Sequence, residues 1–501
     1  MNKFHTQSRH SRTARIVAPL CSAALLFCSL PPNGIGLLGF IAFLPLCYIL
    51  EDTSARQSVF PSFLWSVAFF PFFLSWALNY GWVIYLLLCV VGLLGFMVVF
   101  FVGARLEQKV GPFMSVLVVP SLWILVGYTY HRIFFVPFSI SANLARTPAA
   151  IQYISIFGPL SVDFIQLLFA RSISKIIFYK LAQNRQECQM PNRLLLFPLL
   201  VFALTLTSGI WYYWGPLPKS AHTPIKVAII QGNTSKTTLE LANKGESLAR
   251  QENLRNYYYL THGVAVHHPD LILWPETTLP TGFFGRIDLQ RILKVALENS
   301  NSFLLSGIPY DDGSKGLYNS AILFNQSVQE VGRYDKQRLT PAELNDFVAG
   351  TGIGNLQFGE SKLGMLICFE SLFPSMAQKR IIDGAQYLVI LSNDTGFDNT
   401  REPSLHAAHT ILRSIENRRY TLSVSNNGVS MAVDPKGRIL VEVPTKQRGY
   451  SIVKVSPINQ RSIYSYVGNL LPFASFCFLL IITVIPICKV SSLQRSASKN
   501  K

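Results

Sequence analysis

The chain has 501 residues, of which 50% are hydrophobic and only 14% are charged. Soluble globular proteins carry roughly a quarter of charged residues, so the composition excludes a wholly soluble protein. The net charge of +17 is unevenly spread: residues 216–465 hold 26 basic and 22 acidic residues, whereas the two flanks hold 18 basic and 5 acidic. The basic excess therefore lies beside apolar segments and not on one folded face, and we expect no nucleic-acid partner.

Apolar runs approach the length of about 20 residues that a helix needs to cross a bilayer. We identify eight, at about 16–30, 35–50, 58–79, 82–103, 113–130, 149–170, 194–214 and 466–488. The first two are short, and the segment 31–34 (Pro-Pro-Asn-Gly) separates them. Whether residues 16–50 cross the membrane once or twice stays open at this point.

The distribution of Lys and Arg predicts the orientation of these spans. With the N-terminus in the cytoplasm, sixteen Lys and Arg residues of the flanks face the cytoplasm, and only Arg132 and Arg146 lie in the opposite short loops. This asymmetry follows the positive-inside rule. It predicts a transmembrane region of about seven helices over 1–215, an extracytoplasmic domain over 216–465, a transmembrane helix over 466–488 and a cytoplasmic tail over 489–501.

Cys368 is the only one of the eight cysteines that lies in the predicted extracytoplasmic domain. A single thiol cannot form a disulfide within that domain, and no Cys-x-x-Cys spacing indicates a structural zinc site. The pairs His406 with His409 and His267 with His268 lack Cys or carboxylate partners at zinc spacing. We therefore predict no metal and no cofactor.

Three strand-like runs end in groups that suit nucleophilic catalysis: Glu276, Lys336 and Cys368, with Glu370 two residues further on. A thiolate attacks an acyl carbon when a base accepts its proton and a cation stabilises the developing oxyanion. Glu276 is the candidate base, and Lys336 is expected to lower the thiol pKa and stabilise the oxyanion. Taken singly, each residue has a structural alternative: a buried cysteine or a solvated surface charge.

The segments 274–276 (Trp-Pro-Glu), 334–336 (Tyr-Asp-Lys) and 367–370 (Ile-Cys-Phe-Glu) resemble the Glu-Lys-Cys triad of the nitrilase, or carbon-nitrogen hydrolase, superfamily. The resemblance implies an α/β domain folded as an αββα sandwich. It also implies that Cys368 is the nucleophile, Glu276 the proton acceptor and Lys336 the oxyanion-stabilising group. Glu370 is implied to be a supporting carboxylate that holds the lysine or the thiol in place.

With its apolar flanks, the whole chain is similar to the apolipoprotein N-acyltransferases. Further segments that match are 30–32 (Leu-Pro-Pro), 42–46 (Ala-Phe-Leu-Pro-Leu), 231–233 (Gln-Gly-Asn) and 392–394 (Ser-Asn-Asp). The similarity implies a multi-pass α-helical membrane bundle joined to the sandwich, in a bacterial inner membrane with the triad on the periplasmic side. It implies acyl transfer from a membrane phospholipid, through a thioester on Cys368, to the N-terminal diacylglyceryl-cysteine of an apolipoprotein.

Several positions depart from the family pattern, among them Gly127, Glu343, Gly396 and the segment 235–237. These departures bear on the identity of the substrate and on the reaction rate more than on the type of reaction. Two other functions remain open on the sequence: a membrane-bound amidase that hydrolyses a small amide, and a non-catalytic receptor or transporter. Acyl-chain preference, headgroup preference and oligomeric state are not predicted.

Overall fold

The computed structural model describes residues 10–51, 53–134, 139–183, 192–218, 220, 223–279, 282–298, 300–397 and 399–499. These residues form two compact units, one drawn from Met1–Tyr212 and Asn469–Lys501 and the other from Tyr213–Gly468. Of the predicted cytoplasmic Lys and Arg residues, Lys3, Arg9, Arg185 and Lys501 lie outside the described residues, as does Cys188.

The first unit is helical. Its helices are α1 (Arg12–Ser29), α2 (Gly39–Ala42), α3 (Leu44–Leu50), α4 (Ala55–Phe73), α5 (Trp82–Glu107), α6 (Pro112–Ser115), α7 (Val118–Thr129), α8 (Ile154–Phe157), α9 (Leu160–Gln183), α10 (Asn192–Trp214) and, at the other end of the chain, α17 (Leu470–Lys499). Polar residues define the starts of two of these helices: Ser11 caps α1, and Ser54 with Gln57 forms a capping box on α4. Helix α17 includes residues 489–499, which the sequence predicts to be a tail.

Two predicted spans differ from the helices observed. Residues 36–50 form short helical pieces in place of one continuous helix. The span predicted over 149–170 is wrong in its bounds, because the long helix α9 begins only at Leu160. Gly158, at φ 76°, and Pro159 precede that start and interrupt any helix from residue 149 onwards.

Among the described residues, three helical segments are long and apolar enough to cross a membrane by length and composition: Arg12–Ser29, Trp82–Glu107 and Pro112–Arg132. Two shorter apolar helical segments, Gly36–Leu50 and Leu470–Val484, fall below that length. These apolar helices agree with the predicted helical membrane region, and the number of eight crossings stays a prediction.

Four charged side chains of the helical unit are paired with one another. Arg171 contacts both Glu51, at 2.7 Å, and Glu107, and Lys175 contacts Glu51 at 2.8 Å. Two carboxylates and two cations form a cluster with no formal net charge, which limits the cost of burying them. Asp163, also buried, accepts hydrogen bonds from Trp123, Ser139 and the backbone of Ile140.

The second unit contains two six-stranded sheets. Its strands are β1 (Ile225–Gln231), β2 (Leu271–Leu273), β3 (Phe303–Asp311), β4 (Leu317–Phe324), β5 (Glu330–Asp335), β6 (Asn355–Phe358), β7 (Ser361–Ile367), β8 (Tyr387–Ser392), β9 (Tyr420–Ser425), β10 (Ser430–Val433), β11 (Ile439–Val443) and β12 (Gly449–Val455). The strand orders are β12-β1-β2-β3-β4-β5 and β11-β10-β9-β8-β7-β6. In each sheet three neighbouring strands are parallel, β1 to β3 in one and β7 to β9 in the other.

The helices of this unit are α11 (Lys236–Asn243), α12 (Ser247–Ala265), α13 (Ile287–Leu297), α14 (Pro374–Ile382), α15 (Glu402–Asn417) and α16 (Ile463–Val467). Alternation along the strands explains how the layers form. In β1, Val227 and Ile229 join the core between the sheets, whereas Ala228 and Ile230 pack with residues of α12 and α13. Residues of α14 cover the other sheet. The unit is thus an αββα sandwich, which confirms the predicted fold class.

Candidate active site

Cys368 directly follows β7, which lies between the edge strand β6 and β8 and pairs with β8 in parallel. Its backbone has φ 48°, a left-handed conformation that is uncommon for residues other than glycine and is concentrated at functional sites. A helical turn over Cys368–Leu372 begins at this residue. The rigid sheet therefore presents the thiol at a sharp change of chain direction.

Glu276 and Lys336 come from the other sheet and form a buried ion pair. Glu276 lies just after β2, Lys336 just after β5, and Lys336 Nζ donates to Glu276 Oε1 at 2.9 Å. Asn319 on β4 donates to the same oxygen at 2.7 Å through Nδ2, and its carbonyl accepts from the Lys336 backbone N–H at 2.8 Å. Among the described residues, these hydrogen bonds reach only Oε1 of Glu276.

A second carboxylate, Glu343, completes this cluster. Its Oε1 accepts from Lys336 Nζ and from Asn319 Nδ2, each at 2.7 Å. Its Oε2 accepts from the backbone N–H and the hydroxyl of Thr340. Both oxygens of Glu343 are therefore engaged, and Lys336 is held between two carboxylates.

Gly307 allows the backbone of Glu276 to sit close to β3. A Cβ atom built at Gly307 would lie 2.4 Å from the Cα of Glu276, closer than non-bonded atoms approach. The Gly307 N–H also donates to the carbonyl of Pro275 at 3.0 Å. Any side chain at position 307 would displace the carboxylate from the lysine.

The charges of this cluster determine the protonation of the thiol. Burial, together with the charge of Glu276, raises the pKa of the Cys368 thiol well above its ordinary value, and Lys336 offsets only part of that increase. Lys336 thus lowers the pKa of the thiol, as predicted, but by less than burial and Glu276 raise it. The resting thiol is therefore protonated at neutral pH. Burial also raises the pKa of Glu276, against the opposing effect of Lys336.

Lys336 and Glu343 remain charged because the opposite charges beside them outweigh the effect of burial. Burial alone would lower the pKa of Lys336, but the carboxylates of Glu276 and Glu343 outweigh it and hold that pKa well above the ordinary value. Burial would raise the pKa of Glu343, but Lys336 outweighs it and lowers that pKa. The site thus contains a fixed ammonium–carboxylate pair and a second carboxylate, Glu276, that is easier to protonate.

Glu370 is fully buried and is bonded mainly to backbone. Its Oε1 accepts from the N–H groups of Gln337 and Arg338, and its Oε2 accepts from the N–H of Ile367 at 2.8 Å. The hydroxyl of Tyr334 lies 2.8 Å from both oxygens. Glu370 therefore ties the chain after Lys336 to the chain before Cys368, and it supports both residues through their backbone.

His406 on α15 lies on another side of Cys368. Its Nε2 is 3.1 Å from the Cys368 carbonyl and 2.8 Å from Ser371 Oγ, and its Nδ1 is 2.9 Å from Asp394 Oδ1. Burial alone would lower the pKa of His406, but Asp394 and Glu402 raise it to about 9. The imidazole therefore fixes the backbone carbonyl of the nucleophile.

The structure brings together the four residues that the sequence singles out, which are Glu276, Lys336, Cys368 and Glu370. Among these four, only Glu276 and Lys336 contact each other directly through their side chains. Sequence reasoning treated Glu343 as a departure, yet it contacts Lys336. Sequence reasoning considered His406 as a metal ligand and did not place it beside Cys368. The Ser-Asn-Asp segment that ends at Asp394 was the available signal for this second cluster. Gly396, another departure, has φ 102°, a conformation that favours glycine.

Comparison with known proteins identifies both parts of the chain. Residues 226–462 match the carbon-nitrogen hydrolase family, and residues 22–171 match the apolipoprotein N-acyltransferase N-terminal domain. An apolipoprotein N-acyltransferase from Geobacter metallireducens is 26% identical, with 90% of this chain and 91% of the relative covered. One from Chlorobaculum tepidum is 23% identical, with 91% and 93% covered. Among solved structures, a mutant amidase of the nitrilase superfamily from Nesterenkonia has a TM-score of 0.39 at 20% identity and covers 49% of this chain and 95% of its own.

The sandwich with its buried glutamate and lysine and its partly buried cysteine is thus a carbon-nitrogen hydrolase domain. The helical region matches the N-terminal domain of the apolipoprotein N-acyltransferases, and relatives of that name match this chain over nine-tenths of its length. The chain is thus similar to the apolipoprotein N-acyltransferases over nine-tenths of its length, and this similarity makes it a membrane protein and an acyltransferase.

Proposed function

We propose that this enzyme transfers an acyl chain from a phospholipid to the N-terminal S-diacylglyceryl-cysteine of an apolipoprotein. In the first half-reaction, the Cys368 thiol gives its proton to Glu276 while the sulfur attacks an ester carbonyl of the phospholipid. Lys336 stabilises the oxyanion of the tetrahedral intermediate. The ester C–O bond then breaks, Glu276 protonates the leaving alkoxide, and a lysophospholipid departs from the thioester.

In the second half-reaction the acceptor takes the place of the lysophospholipid. Glu276 removes a proton from the α-amino group as its nitrogen attacks the thioester carbonyl. The C–S bond breaks, the new amide forms, and the proton returns to the sulfur of Cys368. Each half-reaction uses the same base, which gives the ping-pong sequence characteristic of a covalent intermediate.

One observation carries this proposal: a buried Glu276–Lys336 pair and the strained Cys368 occur in a chain that also matches the apolipoprotein N-acyltransferase N-terminal domain. The buried pair and the strained cysteine support acyl-enzyme chemistry. The match to the N-terminal domain supports lipid-anchored substrates over a small soluble amide, because a membrane domain brings the enzyme to substrates that diffuse in the bilayer.

The loop that carries Glu343 supports access by an acyl chain. Three apolar side chains of this loop are exposed: Leu344 at 67%, Val348 at 42% and Ile353 at 76%. Large apolar side chains grouped at a surface indicate contact with lipid or with another protein. We propose that they contact the hydrocarbon part of the donor, and that an apolar entrance disfavours hydrolysis of the thioester by water.

We further propose that the enzyme resides in the bacterial inner membrane with residues 216–465 in the periplasm. The membrane region would comprise 1–215 and a C-terminal helix over 466–488, followed by a cytoplasmic tail over 489–501. The apolar helices and the Lys and Arg asymmetry support this arrangement.

A topology reporter tests this placement. A periplasm-active phosphatase fused after Ser465 should be active, whereas a fluorescent protein that folds only in the cytoplasm should be dark at the same position. The matched control is fusion after Lys109, a predicted cytoplasmic position, where both results should reverse. Phosphatase activity at Lys109 and not at Ser465 would overturn the orientation.

The reaction itself is tested by the ratio of two products. Full-length enzyme with phospholipid and a diacylated lipopeptide should give triacylated lipopeptide in large excess over free fatty acid, measured by mass spectrometry. Omission of the lipopeptide should leave the acyl-enzyme and little fatty acid. Release of fatty acid at the same rate with and without the acceptor would indicate a hydrolase and contradict the transferase.

A further inference from the structure

The nucleophile has a second set of neighbours that the acyl-transfer mechanism does not use. Ligating atoms of Cys368, Asp394 and His406 all lie within 4.8 Å of one another. Glu402 adds a second carboxylate, since its Oε1 is 3.8 Å from His406 Nδ1. A thiol, an imidazole and two carboxylates therefore converge on one small volume.

One atom of this cluster lacks a hydrogen-bond partner. Oε2 of Glu402 is buried, and no described residue donates to it. A buried carboxylate oxygen is costly to leave unsatisfied. The cluster thus presents an acceptor that a cation would satisfy, in addition to the ligand atoms already close together.

We propose that Cys368, His406, Asp394 and Glu402 form a site for a zinc-class transition-metal ion, and that occupation of this site inhibits the enzyme by capturing the nucleophile. The inhibitory consequence rests on the proposed function, whereas the binding itself does not. Sequence spacing predicted no metal here, because the four residues come from the end of β7, the loop after β8 and helix α15.

A tetrahedral ion requires the ligand atoms to draw closer, since those of Cys368, Asp394 and His406 lie within 4.8 Å of one another. Zinc binds sulfur at about 2.3 Å and nitrogen or oxygen at about 2.0–2.2 Å, so ligand atoms around it stand roughly 3.3–3.7 Å apart. The separations from His406 Nδ1 to Asp394 Oδ1, at 2.9 Å, and to Glu402 Oε1, at 3.8 Å, lie on either side of that range. The donor set of one sulfur, one nitrogen and carboxylate oxygens matches zinc and not magnesium or calcium.

The other ring nitrogen of His406 is held as in known metal sites. A metal-bound histidine usually donates its second N–H to a carbonyl or another acceptor, which fixes the ring and its tautomer. Here Nε2 lies 3.1 Å from the Cys368 carbonyl and 2.8 Å from Ser371 Oγ. This arrangement leaves Nδ1 to face the two carboxylates.

Binding is balanced by release of protons. The metal replaces the proton of the Cys368 thiol and the protons held among His406 Nδ1, Asp394 and Glu402, and all of these protons leave to solvent. No oxidation or reduction is involved. A metal-bound thiolate no longer attacks an ester, so bound metal blocks thioester formation until a chelator removes it.

The test uses the full-length enzyme in detergent, with Zn²⁺ alone or Co²⁺ alone as the probe. Co²⁺ should give tetrahedral ligand-field bands together with a thiolate charge-transfer band, and Zn²⁺ should abolish both by competition. Zn²⁺ should inhibit lipopeptide acylation, and EDTA should restore it. Inhibition and the spectroscopic titration should give the same Zn²⁺ affinity.

Variants locate the ion. His406→Gln and Glu402→Gln should each weaken Zn²⁺ binding by at least about tenfold, and the second guards against a folding defect in the first. Glu240→Gln, the same change at an exposed residue paired with Lys236, is the matched control and should leave the affinity unchanged. Glu276→Gln should not weaken Zn²⁺ binding, because that carboxylate belongs to the other cluster and the loss of its negative charge favours the thiolate.

Three outcomes would overturn the proposal. They are a Co²⁺ spectrum without the thiolate band, a Zn²⁺ affinity that is unchanged in both His406→Gln and Glu402→Gln, and a loss of binding in Glu276→Gln equal to that in His406→Gln. Because binding is read from the spectrum, an enzyme that binds Zn²⁺ as expected but transfers no acyl chain would refute the proposed function and leave the metal site standing.

Discussion

Cys368→Ala is expected to lower lipopeptide acylation by at least about 10⁴-fold, because removing a covalent nucleophile removes the whole two-step route. The wild-type enzyme incubated with phospholipid alone should carry one acyl group on the peptide that contains Cys368. The adduct should be labile to hydroxylamine, as a thioester is, and should be absent from the variant. Intact-protein and peptide mass spectrometry measure both results.

A matched control separates this effect from the loss of any thiol. Cys89→Ala makes the same change in helix α5 of the helical unit, where Cys89 is partly exposed. That variant should keep both the adduct and the activity. Acylation of a different residue in the wild type, or full activity of Cys368→Ala, would contradict the mechanism.

The triad was predictable because each member ends a strand. Strand-like runs before Glu276, Lys336 and Cys368 are visible in the sequence; they form the buried strands β2 and β7 and the partly exposed strand β5. Residues at strand ends meet when the strands share an edge of a packed sandwich. Family resemblance supplied the order and the roles, and local pattern supplied the elements.

The remaining site residues could not be found in this way because they reach the site from loops and a helix. Glu343 lies seven residues after Lys336, and its contact depends on how the loop returns, which the Thr340 hydrogen bonds fix. His406 is separated from Cys368 by 38 residues, and only the packing of α15 brings the two together. Local sequence spacing does not encode such distances.

The helical unit shows the same limit. Hydropathy identifies apolar runs but not where a helix begins, so the predicted span from residue 149 missed the break before Leu160. Hydropathy also gave no indication that Glu51 and Glu107 would pair with Arg171, because these residues are far apart in the chain.

Glu276→Gln is expected to lower acyl transfer by about 10³-fold, which corresponds to about 4 kcal/mol of transition-state stabilisation. Glutamine has nearly the same shape, and its carbonyl oxygen still accepts from Lys336 and Asn319, as Oε1 of Glu276 does. What it lacks is the ability to accept a proton. Because the Cys368 thiol is protonated at rest, the substituted enzyme has no base in the position of Glu276 to activate it.

Glu343→Gln makes the same chemical change on the other partner of Lys336 and is the matched comparison. Both oxygens of Glu343 are bonded, and the lysine lowers its pKa, so we assign it as a counter-ion and not as the base. Its loss should cost about 10- to 100-fold, the magnitude of one hydrogen bond to a charged group.

The pH dependence distinguishes the two carboxylates. In the wild type the rate should fall on the acid side with an apparent pKa above that of an ordinary carboxyl, because burial raises the pKa of Glu276 and the base acts only when deprotonated. Glu343→Gln should keep this acid limb, and Glu276→Gln should lose it. If instead Glu343→Gln removed the acid limb and Glu276→Gln preserved it, the roles of the two carboxylates would have to be exchanged.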